Sequence, residues 1–333
     1  MAHSGNQTKP PFSVTLICRS PELLDVRTPE LLAKVSATSW LFGCHRYVHM
    51  KLARLVLEFF ILAFFILFLT SLRAAETPPV VPLESYGESQ KIVRAKLNGR
   101  EGTFLFDSGG GVTNVTPEFA KEIGRKPWGK IVGFRMTGQR LDMGRCDDVM
   151  LEIAGMREHL SIIGVFDLMS LLPPGASKLD GVIGLDAFAN KRISIDLANQ
   201  RIVIETPESL AARINGATEE PVRVVRDAEG LALTLDAAVK TANGTAWMEL
   251  DTGNDGGIVV ADWLADEFGL DPKKKDAQPI KFQLANGLKG EGRGRARDLI
   301  MDGNLGSPFL RNWIVTFDLP HGRAWFSPTQ SER

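Results

Sequence analysis

The chain has 333 residues, of which 44% are hydrophobic and 24% are charged, so it is long enough for two domains with buried cores. Its formal net charge of −1 gives no indication of nucleic-acid binding. The three cysteines, Cys18, Cys44 and Cys146, have no Cys-x-x-Cys spacing, which argues against a disulfide framework or a structural zinc site. We therefore expect a globular protein without a nucleic-acid partner, metal or cofactor.

An apolar segment near the N-terminus, residues 55–72, reads LVLEFFILAFFILFLTSL and carries a single charge, at Glu58. Lys51 and Arg54 precede it. This order is typical of a signal peptide, and the length also suits an uncleaved membrane anchor. Because the positive residues come first, the N-terminus is predicted to stay in the cytoplasm. Both interpretations place residues 76–333 outside the cytoplasm, periplasmic or secreted, or anchored to the inner membrane.

The residues before this segment, 1–49, show no sustained hydrophobic period. The sequence from Met50 onward, MKLARLVLEFF, would itself make a good leader. Our hypothesis is that Met50 is the true start, so that 1–49 is a start-site artefact and 50–75 is the leader. The alternative is a short cytoplasmic tail.

After the leader, the signals are those of short β-strands. The runs KIVRAKL, TFLF, VMLEIA, LSIIGVF, ISIDL and RIVIE are apolar throughout or alternate with period two, and Gly, Asn or Asp separates them. TPEFAKEIG predicts a short amphipathic helix that ends at Gly124. Residues 132–144 predict a hairpin with Thr137-Gly138 at its tip.

The chain then repeats itself. Residues 180–204 and 302–326 match without a gap and are identical at seven of 25 positions. Residues 103–124 and 247–269 match with one extra residue in the second copy. A tandem duplication of one lobe explains both matches.

The duplication sets the predicted domain boundaries. Lobe one covers 87–206, a linker covers 207–221, and lobe two covers 222–329. In lobe two, ADWLADEFG predicts a second helix, which ends at Gly269. The Asn-Gly at 286–287 predicts a hairpin turn that corresponds to Thr137-Gly138 of lobe one. The whole is predicted to be all-β with minor helix.

Each copy contains an acidic turn whose chemistry has two interpretations. Asp107-Ser108-Gly109 in lobe one could hold a serine nucleophile or a reactive aspartate. A serine nucleophile needs a histidine base within hydrogen-bonding reach, and no histidine lies between His49 and Ser108. Copy two has Asp251-Thr252-Gly253, so the acid is kept while the hydroxyl residue changes. The repeat therefore favours the aspartates.

Two copies related by an approximate two-fold axis can bring their acidic turns face to face. Two carboxylates about 3 Å apart cannot both ionise and so share one proton. One then activates a water molecule as a base, while the other polarises a carbonyl group. Gly109 and Gly253 allow the close backbone approach. Ser108 and Thr252 supply hydroxyls that can bond to the backbone of the opposite lobe.

With these motifs the sequence resembles the aspartic protease superfamily of pepsins and retroviral proteases. More narrowly, it resembles bacterial retropepsin-like aspartyl protease family proteins with two fused lobes. The resemblance covers 87–329 and includes a hydrophobic-Gly element in each copy, VIGLD at 182–186 and NLGSP at 304–308. It implies an all-β, bilobal pepsin/retropepsin-like acid protease fold, two β-barrel-like lobes related by pseudo-two-fold symmetry. It also implies catalysis by Asp107 and Asp251.

The sequence departs from this pattern in two places. Gly110 and Asn254 stand where active members usually have Ser, Thr or Ala, and neither predicted hairpin holds the flap tyrosine of pepsins. The flap, the hairpin that covers the cleft, would fall to other residues. The flap candidates are Met136, Thr137, Gly138, Gln139, Asn286 and Gly287.

The predicted function is an exported aspartic endopeptidase that cleaves extended peptide or protein substrates without metal or cofactor. The catalytic unit is expected to be a monomer, since one chain carries both acids, with a membrane contact through 55–72 if the leader stays uncleaved. The alternative is an aspartic-protease fold kept as a peptide-binding or scaffold protein with an idle dyad.

Overall fold

The computed structural model describes residues 76–329, together with Phe59 and Ile61. The predicted N-terminal extension and nearly all of the predicted leader lie outside the described residues. Among the residues that are described, no helix has the length and apolar character to cross a membrane. The chain divides into the units Met1–Arg73 and Ala74–Arg333, and everything below concerns the second.

Short strands dominate the described part of the second unit. In chain order, the first nine are β1 (Val80–Pro82), β2 (Glu84–Tyr86), β3 (Gln90–Leu97), β4 (Arg100–Phe106), β5 (Asn114–Val115), β6 (Trp128–Phe134), β7 (Arg140–Ile153), β8 (Met156–Val165) and β9 (Gly181–Ile183). The next four are β10 (Arg192–Asp196), β11 (Arg201–Ile204), β12 (Thr218–Glu220) and β13 (Val222–Val225). The last eight are β14 (Thr234–Thr241), β15 (Gly244–Asp251), β16 (Ile258–Ala261), β17 (Gln278–Gln283), β18 (Lys289–Arg297), β19 (Gly303–Gly306), β20 (Trp313–Asp318) and β21 (Arg323–Pro328).

Between residues 76 and 329, helices are few and short. The α-helices are α1 (Pro117–Glu122), α2 (Pro207–Ile214) and α3 (Ser307–Leu310), and the 3₁₀ turns are Leu168–Leu171, Leu185–Phe188, Ala228–Gly230, Asp262–Phe268 and Leu319–His321. The predicted linker is therefore not irregular, because it contains α2 and β12. The all-β prediction is confirmed.

The two predicted helices of the repeat differ in type. In α1, the Thr116 hydroxyl accepts a hydrogen bond from Phe119 N at 3.2 Å, which caps the first turn. In lobe two the corresponding position is Ala261, which has no side-chain acceptor, and Asp262–Phe268 forms a 3₁₀ turn. The second copy thus forms its helix, which ends at Gly269 as predicted, with 3₁₀ geometry and without a side-chain cap.

The repeat is visible as two sheets with matching strand order. Lobe one forms an eight-stranded sheet in the order β2-β3-β4-β9-β5-β8-β7-β6. Lobe two forms a seven-stranded sheet in the order β13-β14-β15-β19-β16-β18-β17. Each strand of lobe two thus corresponds to one of lobe one, and within the described residues β6 has no counterpart.

A third sheet joins the lobes. Its order is β1-β11-β10-β20-β21-β12, so three strands from the first half lie beside two strands of lobe two, and the linker strand β12 forms the far edge. At its centre Ser194 of β10 lies opposite Thr316 of β20, and their hydroxyl oxygens are 2.8 Å apart. These two residues are equivalent in the repeat, so the pseudo-two-fold axis passes between them.

The core lies inside each lobe and continues along the joining sheet. Phe104, at 0% exposure, meets Phe119 edge to face at 5.4 Å, and Phe106 meets Phe188 at 6.3 Å. Full burial of such a side chain stabilises the fold by about 1.5–3 kcal/mol. These aromatic contacts fix the end of β4, which leads directly into the first acidic turn.

Candidate active site

The two acidic turns follow equivalent strands. Asp107 comes directly after β4, and Asp251 is the last residue of β15. Beside each strand runs the hydrophobic-Gly element of the same lobe in parallel, with Phe106 opposite Ile183 and Asp251 opposite Gly306. Both acids are therefore placed by two neighbouring strands rather than by a free loop.

Crossed hydrogen bonds lock the turns together. The Ser108 N–H donates to Thr252 Oγ1 at 2.9 Å, and the Thr252 N–H donates to Ser108 Oγ at 3.0 Å. The Ser108 hydroxyl donates in turn to the Leu250 carbonyl at 2.6 Å, and the Thr252 hydroxyl donates to the Phe106 carbonyl at 3.1 Å. Both side chains are buried, so these four bonds are shielded from water.

The glycines of the turns lie against the opposite acids. A Cβ atom added at Gly109 would overlap the carboxyl group of Asp251, and one at Gly253 would overlap the carboxyl group of Asp107. Any side chain at either position would push the turns apart. This close approach explains why both copies keep glycine there.

The surroundings of the Asp107 carboxyl favour its neutral form. Burial raises its pKa well above the usual range, and the charge of Asp251 and a hydrogen bond with it raise the pKa further. The Gly109 N–H donates to Asp107 Oδ1 at 2.9 Å. This and the N–H of Gly110 lower the pKa only in part. The geometry is that of two acids sharing a proton.

The Asp251 carboxylate receives more hydrogen bonds than its partner. The N–H groups of Gly253 and Asn254 donate to its Oδ1 at 2.7 and 3.0 Å. The Asn304 side-chain amide donates to its Oδ2 at 2.7 Å. The Asn254 side chain points away from the acid, toward the Gly257 carbonyl and Asn304.

Two buried residues beside Asp251 were missed in the sequence. Glu249 and Asn304 lie opposite each other on β15 and β19, and Asn304 Nδ2 donates to Glu249 Oε2 at 3.0 Å. In lobe one the equivalent pair is Leu105 and Val182. The signal was present in the repeat, since one copy has two apolar residues where the other has an acid and an amide.

One flap candidate lies across the cleft. The hairpin of β6 and β7 turns at 135–138, and the Met136 carbonyl accepts a hydrogen bond from the Ile300 N–H of lobe two at 2.9 Å. Gly138 has a φ of +79°, which closes this turn. Thr137 and Gln139 are the chain neighbours of Gly138. The hairpin tip thus reaches from one lobe to the other, and its role as a flap stays a prediction.

The other flap candidate lies elsewhere. In lobe one, β3 pairs with β7 at Leu151, shortly before the turn at Ala154. In lobe two, the equivalent strand β14 pairs with Leu284, shortly before the turn at Asn286 and Gly287. The turn at 286–287 therefore corresponds to the β7–β8 turn and not to the tip at 136–139. The predicted correspondence between the two hairpin tips is wrong, because lobe two lacks a strand equivalent to β6 within the described residues.

The contacts of this second turn agree with its topology. The Asn286 backbone N–H donates to the Glu220 carboxylate at 2.6 Å, and its side-chain amide donates to the Glu219 carbonyl at 2.7 Å. Both acceptors belong to β12 of the joining sheet. The contacts give no support to a flap role for Asn286 or Gly287.

A half-buried acid, Asp186, braces lobe one. Asp186 Oδ2 accepts from the Thr113 N–H at 2.8 Å, and its Oδ1 accepts from the Thr113 hydroxyl at 2.7 Å. That hydroxyl accepts in turn from the Gly184 N–H at 3.1 Å. Burial raises the pKa of Asp186 to about 6. Among the described residues, no cluster of three or more His, Cys, Asp or Glu side chains is arranged to hold a metal ion.

Comparisons with known proteins identify the fold. No family model matches the chain, and no curated protein matches its sequence. Among solved structures it is similar to the crystal structure of basic 7S globulin from soybean, with a TM-score of 0.51 and 10% identity. The alignment covers 76% of this chain and 95% of the globulin chain. At this identity the likeness concerns the fold alone, and it shows that the chain adopts the pepsin-like fold.

Proposed function

We propose that this protein is an aspartic endopeptidase, more narrowly a retropepsin-like protease with two fused lobes, and that Asp107 and Asp251 are its catalytic pair. The observation that carries the proposal is the meeting of the two acidic turns, held by the crossed hydrogen bonds of Ser108 and Thr252. Catalytic use of these acids would explain why the fold brings two carboxyls against each other, since their mutual repulsion opposes folding.

The chemistry follows from one shared proton. The ionised carboxylate takes a proton from a water molecule as that water attacks the scissile carbonyl carbon. The protonated carboxyl gives its proton to the carbonyl oxygen, which yields a neutral tetrahedral diol. When the C–N bond breaks, the amine nitrogen takes the proton from the first carboxyl. A diol hydroxyl returns a proton to the second, so the dyad ends as it began.

The proposed substrate is an extended peptide. The edge of the β6–β7 hairpin and the acidic turns offer backbone groups that can pair with a peptide strand. The active unit is proposed to be a monomer, because one chain supplies both acids, and neither metal nor cofactor has a part in the scheme. An exported location, periplasmic or secreted, with or without an inner-membrane anchor, is part of the same proposal.

A second candidate is a peptide-binding or scaffold protein with an idle dyad. Gly110 favours it, because this residue gives Asp107 no side-chain hydrogen-bond donor. The hydrogen bond between Met136 and Ile300 also favours it, since the hairpin must release this bond before a protein substrate can enter. Both functions use the same cleft, and turnover distinguishes them.

The deciding experiment is a proteome-derived peptide library incubated with the purified full chain between pH 4 and pH 6.5. The matched control is Asp251→Asn, which keeps the size of the side chain. We expect cleavage by the wild type, no cleavage by the control, and binding of pepstatin to the wild type. Pepstatin or peptide binding without cleavage would support the scaffold function instead.

A further inference from the structure

The polar pair beneath Asp251 has no counterpart beneath Asp107. Glu249 is 6% exposed and Asn304 is 0% exposed, and the registers place them on the strands that carry the acid and the Gly element. Side chains two residues apart on a strand share a face, so Glu249 lies on the same face as Asp251. A buried acid and amide at this place require a role, because an apolar pair fills the equivalent place in lobe one.

The orientation of the Asn304 amide is fixed by its neighbours. Its Oδ1 accepts from Asn254 Nδ2 at 2.6 Å, while the Oδ1 of Asn254 accepts from the Gly256 N–H at 2.8 Å. The Nδ2 group of Asn304 must therefore point the other way. Its two hydrogens serve Glu249 at 3.0 Å and Asp251 at 2.7 Å, so both are used.

This donor makes the dyad unequal. In both copies backbone N–H groups of the turn lie beside the acid, but Asp251 also receives the Asn304 side-chain donor. Among the described residues, the side chain that forms a hydrogen bond with Asp107 is Asp251 itself. Hydrogen bonds to the charged form of a carboxyl favour that form.

We propose that Asn304, oriented by Glu249 and Asn254, is a positioning residue that places the negative charge of the dyad on Asp251 and the shared proton on Asp107. Asp251 then acts as the base toward water, and Asp107 acts as the acid toward the carbonyl oxygen. The catalytic meaning of this assignment depends on the proposed function, but the position of the charge is measurable without turnover.

The surrounding charges agree with this assignment. Glu249 faces Asp251 and Asp107 on one side and Asp236 of β14 on the other, and burial and these charges raise its pKa well above the usual range. Burial and these charges thus favour the neutral form of Glu249 while the dyad holds its single charge. Three charged groups farther from the dyad act on Asp236. Arg223 lowers the pKa of Asp236, and Asp302 and Asp227 raise it. Arg295 of β18 lies near Gly256 of the second turn.

The test is a carboxyl ¹³C titration of the full chain, with the two signals assigned by their loss in Asp107→Asn and Asp251→Asn. In the wild type, the signal of the Asp251 carboxyl carbon should titrate with the lower of the two apparent pKa values of the pair. In Asn304→Val, that lower value should rise by about one to two units, as expected for the loss of one hydrogen bond to a charged acceptor.

Two further variants separate the donor from general damage. Glu249→Gln keeps an acceptor for Asn304 and is neutral like the protonated acid, so the lower pKa value should stay unchanged. The double variant Glu249→Leu/Asn304→Val rebuilds the Leu105–Val182 pair of lobe one and leaves no buried acid without a partner. It should fold cooperatively and show the same rise as Asn304→Val.

The inference is overturned if, in the wild type, the signal of the Asp107 carboxyl carbon titrates with the lower of the two apparent pKa values. It is equally overturned if the lower value stays the same in a folded Asn304→Val or double variant. A protein that cleaves no peptide yet shows the expected titration would contradict the proposed function and leave this assignment standing.

Discussion

The two aspartates gain their different properties from single neighbouring residues. Asn304 supplies a donor to Asp251 from outside the turn. Gly110 supplies only its backbone N–H and no side-chain donor to Asp107, although a Cβ at this position would lie only 3.0 Å from Asp107 Oδ2. A side chain there would therefore touch the carboxyl directly. Gly110 is the position at which the ionisation of Asp107 can be changed most simply.

The first prediction concerns this glycine. We expect the wild-type profile of kcat/KM against pH to be bell-shaped, with a maximum between about pH 4 and pH 6.5. In Gly110→Ser, a hydroxyl that donates to the charged form of Asp107 should lower the pKa of the alkaline limb by about one unit. Gly110→Ala is the control, because it adds the same Cβ without the donor and should not lower that limb. A wild-type maximum near pH 2 or above pH 8 would contradict this explanation of the turn.

The second prediction concerns the acids themselves. Because the proposed scheme gives each aspartate its own role, Asp107→Asn and Asp251→Asn should each lower kcat/KM for a peptide by at least about 100-fold. EDTA should leave the wild-type rate unchanged. Full activity in either variant would end the two-aspartate scheme, and inhibition by EDTA would indicate a metal in the reaction.

At the scale of elements, the β6–β7 hairpin is what distinguishes lobe one. Arg145 of β7 is 11% exposed, and it donates to Glu229 of lobe two at 2.8 Å. Its guanidinium also lies 5.0 Å from the ring centroid of Trp128 on β6. One side chain thus joins both strands of the hairpin to the opposite lobe, so it is expected to limit how readily the hairpin opens.

The third prediction tests this contact. In Arg145→Ala, hydrogen exchange of the hairpin amides should become about three- to tenfold faster, as expected for the loss of about 1 kcal/mol of ion-pair and cation–π interaction. Arg140→Ala is the matched control, because Arg140 pairs with Asp142 on its own strand and reaches no residue of lobe two. Equal exchange in the two variants would show that Arg145 does not hold the hairpin.

The sequence predicted the elements that the repeat contains twice and failed where the copies differ. The acidic turns and Gly elements were found because both copies keep them. The hairpin at 286–287 was matched to the wrong partner, because an Asn-Gly turn reports a local bend and not a position in the sheet. Glu249 and Asn304 were missed because each looks like an ordinary strand residue until the register places it opposite the other.

At the scale of the whole molecule, both acids belong to one chain, and the joining sheet holds the halves together. The fourth prediction is therefore that activity per mole does not change on dilution. It is measured as specific activity over a wide range of protein concentration, with sedimentation as the check on oligomeric state. A steep loss of specific activity at low concentration would instead show that two chains are needed.

The fifth prediction concerns the stability of the whole fold against pH. Asp186 has a pKa raised by burial to about 6, so the folded state binds more protons than the unfolded state between its usual pKa and this value. Its contribution to stability is complete at low pH and disappears as the pH rises through about 6. This group alone accounts for a decrease of at most about 3 kcal/mol in the free energy of unfolding.

Asp236, whose pKa burial also raises to about 6, should add a decrease of the same sign. The measurement is urea unfolding at a series of pH values from 4 to 7.5. In Asp186→Asn the group no longer titrates, so the decrease should be smaller than in the wild type. If the free energy of unfolding decreases equally with pH in both proteins, Asp186 is ionised throughout the range.

The unequal pair of Glu249 and Asn304 also bears on how such a molecule can evolve. In an assembly of two identical chains, a substitution near the axis appears twice. A glutamate would then flank both aspartates, and repulsion would oppose every further charge among these four carboxyls. Covalent fusion removes this restriction, because each half can mutate alone. The symmetry of the repeat persists where Ser194 meets Thr316, and it is broken where Glu249 and Asn304 take the place of an apolar pair.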